Sequence, residues 1–196
     1  MKRKMNKFYL LVLFLLPVLA VNGQTEFFLD NNSSSLIVEG TSSIHDWEME
    51  ANDLKSTIVL RFNDNELLDI EKVEFSSPAE NVLSDNSLMN SKSHKALKAG
   101  KYAEITFHLK SVNRLNVSGK SVSGQIVGVV RIAGVSKTIQ VNFSGKINPG
   151  HLFSISGSVP LKLADFDIDP PTAMLGALKT GDNIKINFKF LYKKKQ

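Results

Sequence analysis

The sequence predicts an all-β protein of about eight antiparallel strands, arranged as a sandwich or a closed barrel. Three observations lead there. Beyond Ser35, apolar residues recur at every second position far more often than at helical spacing, the period of a strand with one dry face. Turn-forming clusters punctuate these runs at Asn63-Asp64-Asn65, Asn113–Asn116, Gly134, Asn148-Pro149-Gly150 and Gly181-Asp182-Asn183. A single mid-chain segment carries helix signals, so most connections are short and antiparallel.

Taken in chain order, residues 1–23 read as a secretory signal. Lys2, Arg3, Lys4 and Lys7 precede the apolar run Phe8–Ala20, which is shorter than the ~20 residues of a membrane helix, and small residues follow it. Cleavage is expected before Gln24, delivering the product to the periplasm or the outside. Residues 24–34 are expected to be a flexible N-terminal segment, 35–192 the folded domain, and 193–196 a basic tail. Loss of the signal removes four basic residues and no acidic one, leaving 20 Lys and Arg against 19 Asp and Glu. The pI of 9.3 therefore belongs largely to the precursor. No basic run remains in the body, which argues against nucleic acid as a partner. The chain has no cysteine, which excludes disulfides, a thiol nucleophile, Cys-ligated zinc and lipid attachment to cysteine. No second apolar run reaches spanning length, so the mature chain is not expected to cross a membrane.

The segment from Thr41 reads as one strand whose two faces differ sharply. Thr41, Ser43, His45, Trp47 and Met49 share one face, and Ser42, Ile44, Asp46, Glu48 and Glu50 the other. Three acids make the second face the wet one. The inward face then grades from hydroxyls through imidazole to indole and thioether. It suits an ordinary core with a hydrogen-bonded His45, or a cavity with a polar mouth and an apolar floor.

Residues 86–98 form the predicted helix, with Asn86 or Ser87 as N-cap, Leu88 and Met89 within two turns of Ala96 and Leu97, and Gly100 as the stop. Interrupting the strands, it is a candidate lid. Further strands alternate at Ala103, Ile105, Phe107 and Leu109, at Ile139, Val141 and Phe143, at Phe153, Ile155, Val159, Leu161 and Leu163, and at Ile184, Ile186, Phe188 and Phe190. Between the last two, Pro170 and Pro171 end any strand, yet Ala173, Met174, Leu175, Ala177 and Leu178 follow in a loop. That loop either caps the core or gates a cavity.

Catalytic patterns are weak. His45 and Asp46 would point to opposite faces of a strand, no G-x-S-x-G elbow is present, and the four histidines show no metal-ligand spacing. We expect no cofactor and no metal.

Three stretches carry a resemblance to a known family: Gly40-Thr-Ser-Ser-Ile-His-Asp-Trp47, Ser87–Leu109 with Gly100-Lys-Tyr-Ala-Glu-Ile-Thr-Phe107, and Gly128-Val-Val-Arg-Ile-Ala-Gly-Val-Ser-Lys-Thr-Ile-Gln-Val141. The chain resembles the YceI-like family of exported, lipocalin-like barrels that bind polyisoprenoid or other lipid-like molecules. This implies an up-and-down barrel of about eight strands with the short helix near its mouth, and a non-enzymatic role. In that frame His45, Trp47 and Met49 would line one wall. Ile105, Phe107, Ile139, Val141, Phe143, Ile186 and Phe188 would supply the rest, and Leu88, Met89, Met174 and Leu175 would close the mouth. The ligand would be lipid or isoprenoid-like, with a homodimer left open. The alternative is an envelope stress or interaction module whose barrel is plugged by its own side chains, which twelve phenylalanines and one tryptophan could fill.

Overall fold

The computed structural model describes residues 23–63, 66–148, 152–173 and 178–194. The predicted signal segment, apart from Gly23, and Met174 and Leu175 of the predicted gate lie outside the described residues.

Alternating sequence becomes a closed antiparallel barrel of eight strands, three of them broken into two pieces. The first is β1 (Gly23–Leu29) followed by β2 (Ser35–Ser42), the second β3 (Trp47–Ala51) followed by β4 (Lys55–Asn63), and the third β5 (Glu66–Pro78) followed by β6 (Val82–Leu83). Five further strands follow helix α1 (Ser87–Ala96): β7 (Glu104–Ser118), β8 (Ser121–Ile132), β9 (Val135–Asn148), β10 (Leu152–Lys162) and β12 (Leu178–Lys194). A two-residue strand, β11 (Thr172–Ala173), pairs with the start of β12. Neighbours follow chain order around the wall, and β1 closes it by pairing with β12 at Phe27↔Lys194, Phe28↔Lys193 and Leu29↔Tyr192.

The strand breaks are held by side chains that replace missing ladder bonds. In the break between β1 and β2, Asn31 Oδ1 accepts from the Leu54 N–H (2.9 Å) and Ser34 Oγ accepts from the Leu191 N–H (3.0 Å). The Asn/Ser composition there is thus explained by backbone satisfaction. Asp30, at the same break, pairs with Lys193 at 2.6 Å, and that ammonium holds its carboxyl below the ordinary carboxylate value.

Several sequence expectations need correction. Gly23–Leu29 is a barrel strand and not part of a flexible segment, because Phe27 drives it into the core and is fully buried. Lys193 and Lys194 belong to β12 and not to a tail, since the closing rungs need them. Thr41–Glu50 is not one strand but the hairpin of β2 and β3, with its bend at Ser43–Asp46. Asn113–Asn116 does not turn: β7 runs through it with a register shift between Val112 and Arg114, and Asn113 Nδ2 donates to Gln125 Oε1 on β8 (3.3 Å). Gly181–Asn183 is likewise an irregularity inside β12, where Asp182 accepts from the Ala164 N–H (2.8 Å). The Gly134 turn is present, a two-residue hairpin in which Ala133 and Gly134 both have positive φ.

Asn86 caps α1, accepting from the Leu88 and Met89 N–H groups at 3.0 and 3.1 Å. The left-handed residue beyond the helix is Lys98 (φ 55°) and not Gly100. The helix has no fully buried residue, so it covers the barrel without entering its main core.

The fully buried Phe27 yields the first test. Phe27→Ala should lower the urea-unfolding free energy by about 3–5 kcal/mol, whereas a flexible leader would leave it unchanged.

Candidate binding cavity

The two halves of the barrel are filled differently. At one end Phe27, Leu60, Phe62, Val122, Ile147 and Phe153 pack solidly between β1, β4, β8, β9 and β10. At the other end the lumen is hollow, with a cavity of about 410 Å³. Its walls are Leu36 and Val38 of β2, Trp47 and Met49 of β3, Val73 and Phe75 of β5, Ile105 and Phe107 of β7, Ile126 and Val130 of β8, Ile139 and Val141 of β9, Ile155 and Val159 of β10, and Ile184, Ile186, Phe188 and Phe190 of β12. β1 and β4 contribute nothing to it, which places them at the closed end.

A hollow lumen in a chain this rich in phenylalanine needs a reason. It comes from aromatic rings laid flat on glycines across the ladder. Trp47 stands opposite Gly40, and a Cβ there would lie 2.2 Å from the indole Cζ2. Phe188 stands opposite Gly157, where an added Cβ would lie 2.5 Å from the ring. Only a residue without Cβ lets the ring approach the backbone this closely. The indole is held further by its N–H, which donates to the Thr41 carbonyl (3.0 Å). Phe188 also packs on Phe190 with centroids 5.2 Å apart, and Phe190 stacks on Phe75 at 5.7 Å.

The floor holds one buried polar pair. Tyr192 lines the cavity, and its hydroxyl lies 2.9 Å from Ser56 Oγ, which itself donates to the Glu74 carbonyl at 2.6 Å. Since Ser56 spends its hydrogen on Glu74, Tyr192 is the donor between them. Burial pushes the phenol up to about 12.

The mouth lies between the β2–β3 hairpin, α1 and the segment before β12. Ser42 organises the hairpin bend: its Oγ donates to the His45 carbonyl (2.7 Å) and accepts from the Ile44 and His45 N–H groups. Reciprocal bonds between Ser43 and Lys179 fix the hairpin to β12. On the far side Asn90 bonds Ser84 in three ways and anchors α1, while Lys92 and Lys98 donate to the Thr172 and Asp167 carbonyls.

Of the sequence-predicted site residues, the structure brings His45, Trp47, Met49, Leu88, Met89, Ile105, Phe107, Ile139, Val141, Ile186 and Phe188 to this cavity. Phe143 does not line it; its ring packs over Gly124 in the filled half. His45 is an exposed rim residue and not part of an inward strand face, because the hairpin bends there. Its Nδ1 donates to the Asp46 carbonyl (2.7 Å), and the strand argument against a His45–Asp46 pair does not apply in this bend. His94 does not reach the cavity lining, and among the described residues its Nε2 is buried without a hydrogen-bond partner. No group of three or more His, Asp or Glu that could hold a metal occurs among the described residues. Sequence reasoning missed Phe75, Ile126, Val130 and Tyr192, although Tyr192 continues the alternation from Ile184 through Phe190.

The YceI-like domain matches residues 27–191, nearly the whole barrel. The chain belongs to the YceI-like family. Solved structures share the fold at low identity. BcnA of Burkholderia cenocepacia is 14% identical, with 83% of this chain and 98% of that one covered at a TM-score of 0.66. A domain from Saccharophagus degradans, described as polyisoprenoid-binding and implicated in plant cell wall breakdown, is 12% identical over 88% and 100%, with a TM-score of 0.68. The Campylobacter jejuni YceI protein is 19% identical over 76% and 85%, with a TM-score of 0.60. No curated protein matches this YceI-like chain.

Two measurements probe the cavity wall and floor. Trp47 is the only tryptophan, so Gly40→Ala should shift its emission and cost about 1–3 kcal/mol of stability by forcing the ring off its seat. Between pH 10 and 12 the unfolded tyrosine loses its proton while the buried one keeps it. Stability should therefore fall across that window, by on the order of 2–3 kcal/mol more than in Tyr192→Phe, as read from urea titrations of both proteins.

Proposed function

We propose that this protein is an exported, non-enzymatic carrier or sensor that holds an elongated apolar molecule, polyisoprenoid or lipid-like, in the open half of its barrel. The observation that carries the reading is the 410 Å³ apolar cavity, kept clear by aromatic rings seated against the wall. That volume falls in the range of about 300–1,000 Å³ typical of small-molecule sites. Burial of ten methylenes supplies about 8 kcal/mol, enough to leave useful affinity after the loss of ligand mobility. The polyisoprenoid-binding description of the Saccharophagus degradans neighbour adds support for the ligand class. The basic and apolar start of the chain supports export to the periplasm or the outside. Among the described residues no helix is long and apolar enough to cross a membrane.

A plugged interaction module would need the lumen filled, and the cavity is open from the Trp47 wall to Tyr192.

Native mass spectrometry and lipid extraction of protein purified from its own envelope test the proposal. A co-purifying hydrophobe, and Trp47 fluorescence that responds to added polyprenyl lipids, are the expected results. Absence of both would reject it. Ile186→Trp, which adds bulk to the lumen wall, should lower polyprenyl affinity at least about tenfold while the melting temperature stays within a few degrees, since the added ring enters empty space.

A further inference from the structure

We propose that the open end of the barrel docks on the surface of a bilayer containing anionic lipids, with Ile44 and Leu88 as its two apolar contacts. Four large hydrophobic residues are exposed among the described residues, and these two, each 63% exposed, are the most exposed of them. Both also line the cavity mouth, one on the tip of the β2–β3 hairpin and the other in the first turn of α1. Single exposed apolar residues are ordinary, but a pair placed across the entrance of an apolar cavity forms a docking surface around that entrance.

Charge selects the partner. Lys92 and Lys179 line the mouth together with His45, and among the described residues no Asp or Glu lines the cavity. Neither lysine belongs to an ion pair found among the described residues. Leu88, Lys92 and Lys95 follow one another at i, i+4 and i+7, placing an apolar contact and two cations along one helix face. Asp46 is the single carboxylate in the hairpin tip and the helix combined, whereas the segment before β12 carries the exposed Asp165, Asp167 and Asp169, so the cationic contact is confined to the hairpin and helix sides of the mouth. A second copy of the chain is a poorer occupant. Its lysines would oppose these lysines, and two apolar side chains bury far less than a stable dimer requires. An anionic bilayer satisfies both features, taking the apolar tips at its headgroup boundary and the ammonium groups at its phosphates.

Co-sedimentation with vesicles tests this, using protein that begins at Gln24. That form keeps the closed barrel and lacks the Phe8–Ala20 run, which would itself bind membranes. Binding is expected to vesicles of phosphatidylcholine with phosphatidylglycerol and to be far weaker with phosphatidylcholine alone. Lys92→Gln and Lys179→Gln should each weaken it about fivefold. Ile44→Asp with Leu88→Asp should weaken it roughly tenfold or more, with the melting temperature unchanged, and uptake of polyprenyl lipid dispersed without vesicles is read on the unsubstituted protein. Three results would overturn the proposal: no binding to either vesicle, binding that survives the double aspartate variant, or a dimer in sedimentation velocity that this variant abolishes. Because cargo uptake is read separately, failure here leaves the carrier reading standing, and failure of uptake leaves this one standing.

Discussion

Everything in this molecule depends on the seam where the last strand meets the first. β12 pairs with β10 along one edge, and along the other it meets β2 over Thr180–Lys189 and β1 over Tyr192–Lys194. Without the rungs to β1 the barrel would be unsealed at its filled end, exposing Phe27 and unpaired backbone on β1 and β12. The jog between β1 and β2 is the consequence: two short strands must track one long partner, and Asn31 and Ser34 satisfy the amides that the jog leaves without ladder bonds.

Closure alone does not make a cavity. Eight strands enclose a space that side chains can fill, as they do around Phe62 and Phe153. The other half stays hollow because its largest rings spend their volume against the wall. Trp47 over Gly40 and Phe188 over Gly157 turn two glycines, one on β2 and one on β10, into seats. The same alternating pattern therefore yields a packed core at one end and a lined void at the other, with Tyr192 between them hydrogen-bonded to Ser56.

Much of this was readable in the sequence. Period-two alternation gave the strand class and the inward identity of Trp47, Met49, Ile105, Ile139 and Ile186, and the Asn86 cap gave the helix. What failed had physical causes that alternation cannot report. A bend at Ser43–Asp46 keeps the two-residue phase from Thr41 to Met49 while reversing the chain, so His45 looked inward and is exposed. Bulges let Asn113 and Asp182 stay in strands whose composition reads as turn. Phe27 sits in a short run with too few alternations to signal a strand, and only its pairing with both β4 and β12 makes it core. Phe143 shares its strand face with Val141, and depth along the barrel, which a sequence does not encode locally, decides that one lines the cavity and the other plugs the base.

The central claim is that the half of the barrel above Tyr192 is a permanent apolar container and not loosely packed core. A crystal structure of the protein purified from its own envelope tests it most directly. The account predicts continuous elongated density running from the mouth at His45 toward Tyr192, with Trp47 and Phe188 still flat on Gly40 and Gly157. A lumen closed by Trp47, Phe107 or Phe188 turned inward, leaving no volume for a chain, would contradict it.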